Sequence, residues 1–318
     1  MRKVKFILLL FTVLIPTFIF SNSSKWKIST PLNDSIYGHS AVSGDGKIFV
    51  VGGFSLKNRE CYSNIYMYHP LSGRWRKISS MRRARGFAGA AYYDGKIFII
   101  GGNNMRRTLN SVEIYNTSTG SWTYGAPMPT SRRGFAVTEY NGKIYCIGGF
   151  SFEQRKTLTT VEVYDIKSNS WQKLPNLPFA RQGAAAVSAN GRIYVMGGVI
   201  GTSRSKSGPV FLRDMNYFII NSKSWHKGPS LIYDRYYLTA IYHKNKIYAI
   251  GGIKGLRPVN IVEYININNG NRWRTVPDMN LSTPRNAPAS VYLDGNIYTI
   301  GGLGYNGALN TVEILRVE

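Results

Sequence analysis

The chain has 318 residues, a formal net charge of +24 from 40 Lys+Arg against 16 Asp+Glu, and 43% apolar residues. That much apolar material excludes a disordered polyelectrolyte, and two cysteines, Cys61 and Cys146, exclude a disulfide scaffold. The four histidines show no ligand spacing such as His-x-His, so no metal and no other cofactor is expected.

The first element reads as an address. Arg2, Lys3 and Lys5 precede an uncharged run from Phe6 to Phe20, and Ser21, Asn22, Ser23 and Ser24 follow. This basic, apolar, small-residue order predicts a secretory signal over residues 1–23, cleaved after Ser21 or Ser23. A spanning helix needs about twenty apolar residues, so the run is short for one, and the alternative is an uncleaved N-terminal anchor. The expected location is secreted or periplasmic, with membrane contact only if the segment stays attached.

From residue 24 to 318 one unit recurs six times. Gly-Gly pairs stand at 52/53, 101/102, 148/149, 197/198, 251/252 and 301/302, and they alternate strictly with single tryptophans at 26, 75, 122, 171, 225 and 273. The second glycine follows the tryptophan by 27 residues in five cases of six, whereas the stretch from the glycines to the next tryptophan varies. Each unit carries four strands. A small, apolar strand such as Phe87 to Ala91 leads into a tight-turn pair, such as Asp94-Gly95 or Asn141-Gly142, of the kind that closes a two-residue hairpin. Only Lys244-Asn245 departs. An apolar strand then ends in Gly-Gly, a third strand carries sequences such as Val112-Glu113-Ile114-Tyr115, and a fourth begins at the tryptophan. Strands a dozen residues apart in units of about 50 predict propeller blades.

The last unit stops after its third strand, and the first tryptophan, Trp26, precedes the first Gly-Gly. Lys25-Trp26-Lys27-Ile28 therefore supplies the missing strand and closes the ring, leaving no open edge. The fold expected is all-β, a six-bladed propeller closed by an N-terminal strand that completes the last blade. The tryptophans and tyrosines are expected to pack between blades.

These residues resemble the kelch repeat. In the second unit the pattern reads Asp94-Gly95, Gly101-Gly102, Val112-Glu113-Ile114-Tyr115, Trp122, Met128-Pro129 and Arg132, and the resemblance spans the whole mature chain. The first unit departs with Tyr66 at the Glu position and no Arg near Tyr37. The fourth departs with Asn216 at that position and an insertion over Ile200 to Pro209. The resemblance implies the propeller. It maps no catalytic motif onto this chain.

A propeller can host an enzyme or a binding protein, so the site must decide. The enzyme alternative is a carbohydrate-active propeller similar to sialic-acid mutarotases, for which Glu60, Glu153 and His39 are the only acid–base candidates. The binding reading rests on the loops, because length variation concentrates after Gly-Gly and variable loops on a rigid frame carry recognition. Those loops hold Lys57, Arg59, Arg106, Arg107, Arg155, Lys156, Arg204, Lys206, Lys254 and Arg257, with Phe54, Asn103, Asn104, Phe152, Tyr305 and Asn306. The loops entering each inner strand end in Arg85, Arg132, Arg181, Arg235 and Arg285, one per blade except the first. Repeat symmetry sets these five around the axis, either as a ligand-binding ring, with Tyr37 and Tyr305 beside it, or as a structural part of the repeat. An exported chain this basic is expected to recognise an acidic protein segment or an anionic glycan as a monomer. Nucleic acid is not expected, since no module for it is recognisable.

Overall fold

In the computed structural model, which describes residues 25–202 and 208–317, all six units fold as four-stranded antiparallel sheets. The signal expected over 1–23, and the loop cations Arg204 and Lys206, lie outside the described residues. Blade II shows the plan: inner strand Gly89–Tyr93, second strand Lys96–Ile100, third strand Val112–Asn116 and outer strand Trp122–Gly125. The turn residues Asp94 and Gly95 take φ of 47° and 68°, the left-handed pair that a two-residue hairpin needs. Lys244 and Asn245 take 43° and 63° in the same turn of blade V, so the departure in sequence is no departure in backbone.

The second strands read as unbroken apolar runs because both their faces are covered by neighbouring blades. Ile97, Phe98, Ile99 and Ile100 are all buried, and so is Cys146 at the corresponding place in blade III. The glycine pairs follow from crowding. A Cβ on Gly52 would lie 2.4 Å from the carbonyl oxygen of Arg85 in the next blade, and Gly52 and Gly53 both hold positive φ.

Both ends of the described chain meet in blade VI. Lys27–Ser29 pairs antiparallel with Val312–Arg316, in register Lys27 with Ile314 and Ser29 with Val312. Each tryptophan is a staple between blades: its indole N–H donates to the preceding blade, as in Trp75 to Thr30 O at 3.0 Å, Trp171 to Ala126 O at 2.8 Å and Trp273 to Pro229 O at 2.9 Å.

A second closure runs around the axis. The N–H of Gly38 donates to Ala287 O, Ala287 to Tyr237 O, Tyr237 to Gly183 O, Gly183 to Gly134 O, Gly134 to Phe87 O, and Phe87 to Gly38 O. All six residues have positive φ. The ring satisfies backbone groups that would otherwise lie orphaned at the head of each inner strand. Below it, the small residues of the inner strands surround an axial cavity of ≈ 200 Å³.

Candidate functional site

The loops after Gly-Gly and the loops entering the inner strands share one face, joined blade by blade through bridges such as Tyr37 to Phe54, Arg133 to Phe150 and Tyr236 to Ile253. The tight turns and the third-to-outer turns share the other face, where Thr117 N–H donates to Gly95 O.

The five recurrent arginines do not line the loop face. Arg85, Arg132, Arg181, Arg235 and Arg285 are each 0% exposed. In Arg132 one terminal nitrogen donates to Gly148 O and Thr160 O, and the other meets Glu162 at 2.6 Å. Arg85, Arg235 and Arg285 repeat this with Glu113, Glu263 and Glu313. Arg181 meets Asn216 Oδ1 at 2.9 Å instead. Their guanidinium groups tie the entry loop to the strand ends within each blade, which corrects the expectation of a ligand-binding ring. Burial pulls the guanidinium pKa values down, and the glutamates oppose that shift in four blades. The signal was in the sequence: the arginine is missing in blade I, where Tyr66 replaces the glutamate.

The other expected residues scatter. Asn103 is buried beneath its hairpin, and Asn104 Oδ1 accepts the N–H groups of Arg106 and Arg107, fixing the turn. Tyr305 is exposed and its hydroxyl donates to Pro258 O in the blade V hairpin. Tyr37 alone sits at the axial mouth, 5.6 Å from the Phe54 ring and 6.2 Å from Phe87; burial raises its pKa. Of the acid–base candidates, Glu60 lies on the blade I hairpin. The Glu153 carboxylate is held by Thr108, Ser131 and Ser151, and these hydroxyls lower its pKa against a burial effect of opposite sign. His39 is wedged between blades I and VI, with burial pushing its pKa down to about 3. No hydrogen bond joins these three.

An aromatic cluster occupies the mouth. Phe87 and Tyr237, both at left-handed φ, meet at 4.9 Å between centroids from blades II and V. The glycines of the hydrogen-bonded ring give them room, since a Cβ on Gly38 or Gly183 would come within 2.9 Å of these rings. Phe54, Phe150 and Phe152 extend the cluster, and the Arg133 guanidinium lies 5.5 Å from the Phe87 ring centroid, 5.8 Å from Phe150 and 5.0 Å from Phe152. Arg133, Phe87 and Tyr237 escape a periodic reading because their residue types do not recur from blade to blade. Outside the mouth the hairpins expose the basic residues Lys57, Arg59, Arg106, Arg107, Arg155, Lys156, Lys254 and Arg257, interspersed with exposed apolar residues such as Leu56, Met105 and Leu256.

A family model described as the KLHDC2/KLHL20/DRC7 Kelch-repeats domain matches residues 17–198, and the Kelch motif matches residues 180–232 and 234–280. Kelch-like protein 40 of Xenopus laevis is 34% identical over 91 residues, which is 29% of this chain and 15% of that protein. The Mus musculus protein of the same name is 36% identical over 80 residues, 25% and 13% respectively. An F-box/kelch-repeat protein of Arabidopsis thaliana is 36% identical over 61 residues, covering 19% of this chain and 17% of the relative. The matches thus span less than a fifth of each relative's length.

Proposed function

The chain belongs to the kelch-repeat family, and from that premise we infer that it is an exported interaction propeller whose loop face binds an acidic protein segment or an anionic glycan. One observation carries this reading: among the described residues, the length-variable hairpins of one face carry exposed basic residues in four blades, and they surround an aromatic mouth. Only Glu60 and Glu153 offset that charge within the hairpins, and the carboxylate of Glu153 is already engaged. Like charge gathered on one face attracts an acidic partner over roughly a Debye length, about 8 Å at physiological salt. The basic, apolar and small-residue order of residues 1–23 supports export.

The test compares the two faces with one probe, a fluorescein-labelled hexaglutamate peptide. Replacing Arg106, Arg107, Arg155 and Lys156 by Ser should weaken binding about tenfold or more. Replacing four exposed basic residues of the opposite face, Lys96, Lys167, Arg192 and Lys223, should change it less than about threefold. Equal weakening by both sets would mean general attraction to a basic chain and would overturn the reading. Recovery of the chain in the cytosol with Met1 intact would overturn its export.

A further inference from the structure

Arg132 and Arg133 are neighbours with opposite fates. Arg132 is enclosed, and its guanidinium donates to carbonyl oxygens and to Glu162. Arg133 is half-buried on the loop face and takes part in none of the side-chain hydrogen bonds or ion pairs among the described residues. Its Nε is covered and has no partner, while the terminal nitrogens are not covered in this way. Three phenylalanine rings from blades II and III hold the guanidinium. The nearest hairpin acid in sequence, Glu153, is occupied by three hydroxyls.

A cation seated among aromatic faces gains about 0.5–2 kcal/mol from the rings, but rings do not satisfy N–H donors. The uncovered terminal nitrogens are the donors that an anion arriving from solvent can reach, and a charge-assisted bond there is stronger than one to a neutral acceptor. The fork geometry of the guanidinium suits a carboxylate. Its surroundings select the rest of the ligand. The part-exposed rings of Phe87 and Phe152 bring no hydroxyl or amide to satisfy the many hydroxyls of a sugar, whereas they suit an apolar side chain.

We propose that Arg133 anchors the side-chain carboxylate of an acidic peptide, with the next apolar residue of that peptide seated on the part-exposed rings of Phe87 and Phe152. This rests on the loop face being the binding face, and it assigns the selectivity to one residue.

The experiment uses the full mature chain and end-blocked peptides Gly-Gly-Asp-Phe-Gly-Gly and Gly-Gly-Asn-Phe-Gly-Gly, read by calorimetry or anisotropy. Asp should bind about 10- to 100-fold more tightly than Asn. Arg133→Ala should erase that difference, and Arg133→Lys, which keeps the charge but loses the fork, should keep part of it. Arg133→Ala should melt with the parent protein, unlike Arg132→Ala, which should melt lower. An unchanged Asp-over-Asn preference in Arg133→Ala overturns the proposal. So does a melting loss as large as that of Arg132→Ala, because Arg133 would then be structural. Binding of a heparin oligosaccharide that needs Arg133, without binding of the Asp peptide, assigns the seat to a glycan and also overturns it. If the Asp peptide fails to bind while hexaglutamate still binds through the hairpins, only this proposal falls; if neither binds, the peptide-binding reading of the loop face falls with it.

Discussion

Blades V and IV carry the same arginine in the same place and differ in what it meets. Arg235 donates to Gly251 O and Ile261 O at 2.8 Å each and to Glu263 at 3.0 Å. Arg181 donates to Gly197 O at 3.1 Å, Asp214 O at 3.2 Å and the neutral Asn216. The backbone carbonyls are equivalent, so they position the side chain; the glutamate adds charge compensation. Without it, burial pulls the Arg181 pKa down to about 10, opposed only by Asp214. A local reason for the difference lies three residues before the arginine. Glu263 accepts the N–H of Ile232 there, and Glu313 accepts that of Ser282, but blade IV has Pro178, which has no N–H. Blade III has Pro129 at that place and keeps its glutamate because the Thr130 hydroxyl donates to Glu162 at 2.7 Å. Blade IV has the exposed Phe179 instead of that threonine.

The widest test of this comparison removes the acid in each blade. Glu263→Ala should cost about 3–5 kcal/mol in a denaturant titration, because it strands a buried charge. Asn216→Ala should cost about 1–3 kcal/mol, the loss of one acceptor. Equal losses would show that charge compensation is not what separates the two blades.

Blade I sharpens the comparison by having neither partner. Ile36 stands at the arginine position, and Tyr66 hydrogen-bonds Asp34 at the other. At the seam of blade I with blade VI lies His39, its buried ring beside the Ile300 backbone, with Arg285 as its charged neighbour. Burial holds its pKa near 3 in the folded chain, below the ordinary 6.5. Below pH 6.5 the unfolded chain therefore binds a proton that the folded chain refuses. This contribution to stability is complete above pH 6.5 and is lost as pH falls towards 3, by about 3 kcal/mol at pH 4. His39→Leu places there the residue type that blade V uses at Leu238, and melting curves from pH 7 to 4 should show a shallower acid loss. Parallel curves for the two proteins would refute the account.

A smaller effect of opposite sign is expected from repairing blade IV. Asn216→Glu with Phe179→Thr should reproduce the blade III arrangement and raise stability by about 1–2 kcal/mol, more than Asn216→Glu alone. A double variant no more stable than the single one would dismiss the proline argument. The smallest effect belongs to the exposed pair of Lys143 and Asp165, where the lysine holds the carboxyl pKa down to about 2. Solvent and salt screen this pair, so Asp165→Asn should leave the melting temperature unchanged at physiological salt.

The framework was legible because it repeats. Turn pairs, apolar second strands, Gly-Gly and tryptophan recur six times, and local chemistry dictates each: positive φ at the turns, two covered faces on the second strand, no space for a Cβ at the glycines. Even the closure could be read, since Trp26 lacked a blade of its own and the last unit lacked a strand. The site was legible only in part. Recurrence marked the five arginines as important, but recurrence belongs to scaffold and site alike. What decided between them was glutamates 28 to 30 residues further along, in the third strands, and the carbonyl oxygens at the strand ends.

The sequence by itself determined the number of blades, their strand order, the ring closure and the excess of basic charge on the hairpins, because these depend on spacing and residue type within one unit. Only the tertiary structure decided which cations are enclosed and which remain open. That outcome depends on the side chains that neighbouring strands and blades bring together. Arg133 differs from Arg132 because Phe87, Phe150 and Phe152 converge on it from two blades, and no spacing in the chain encodes that meeting.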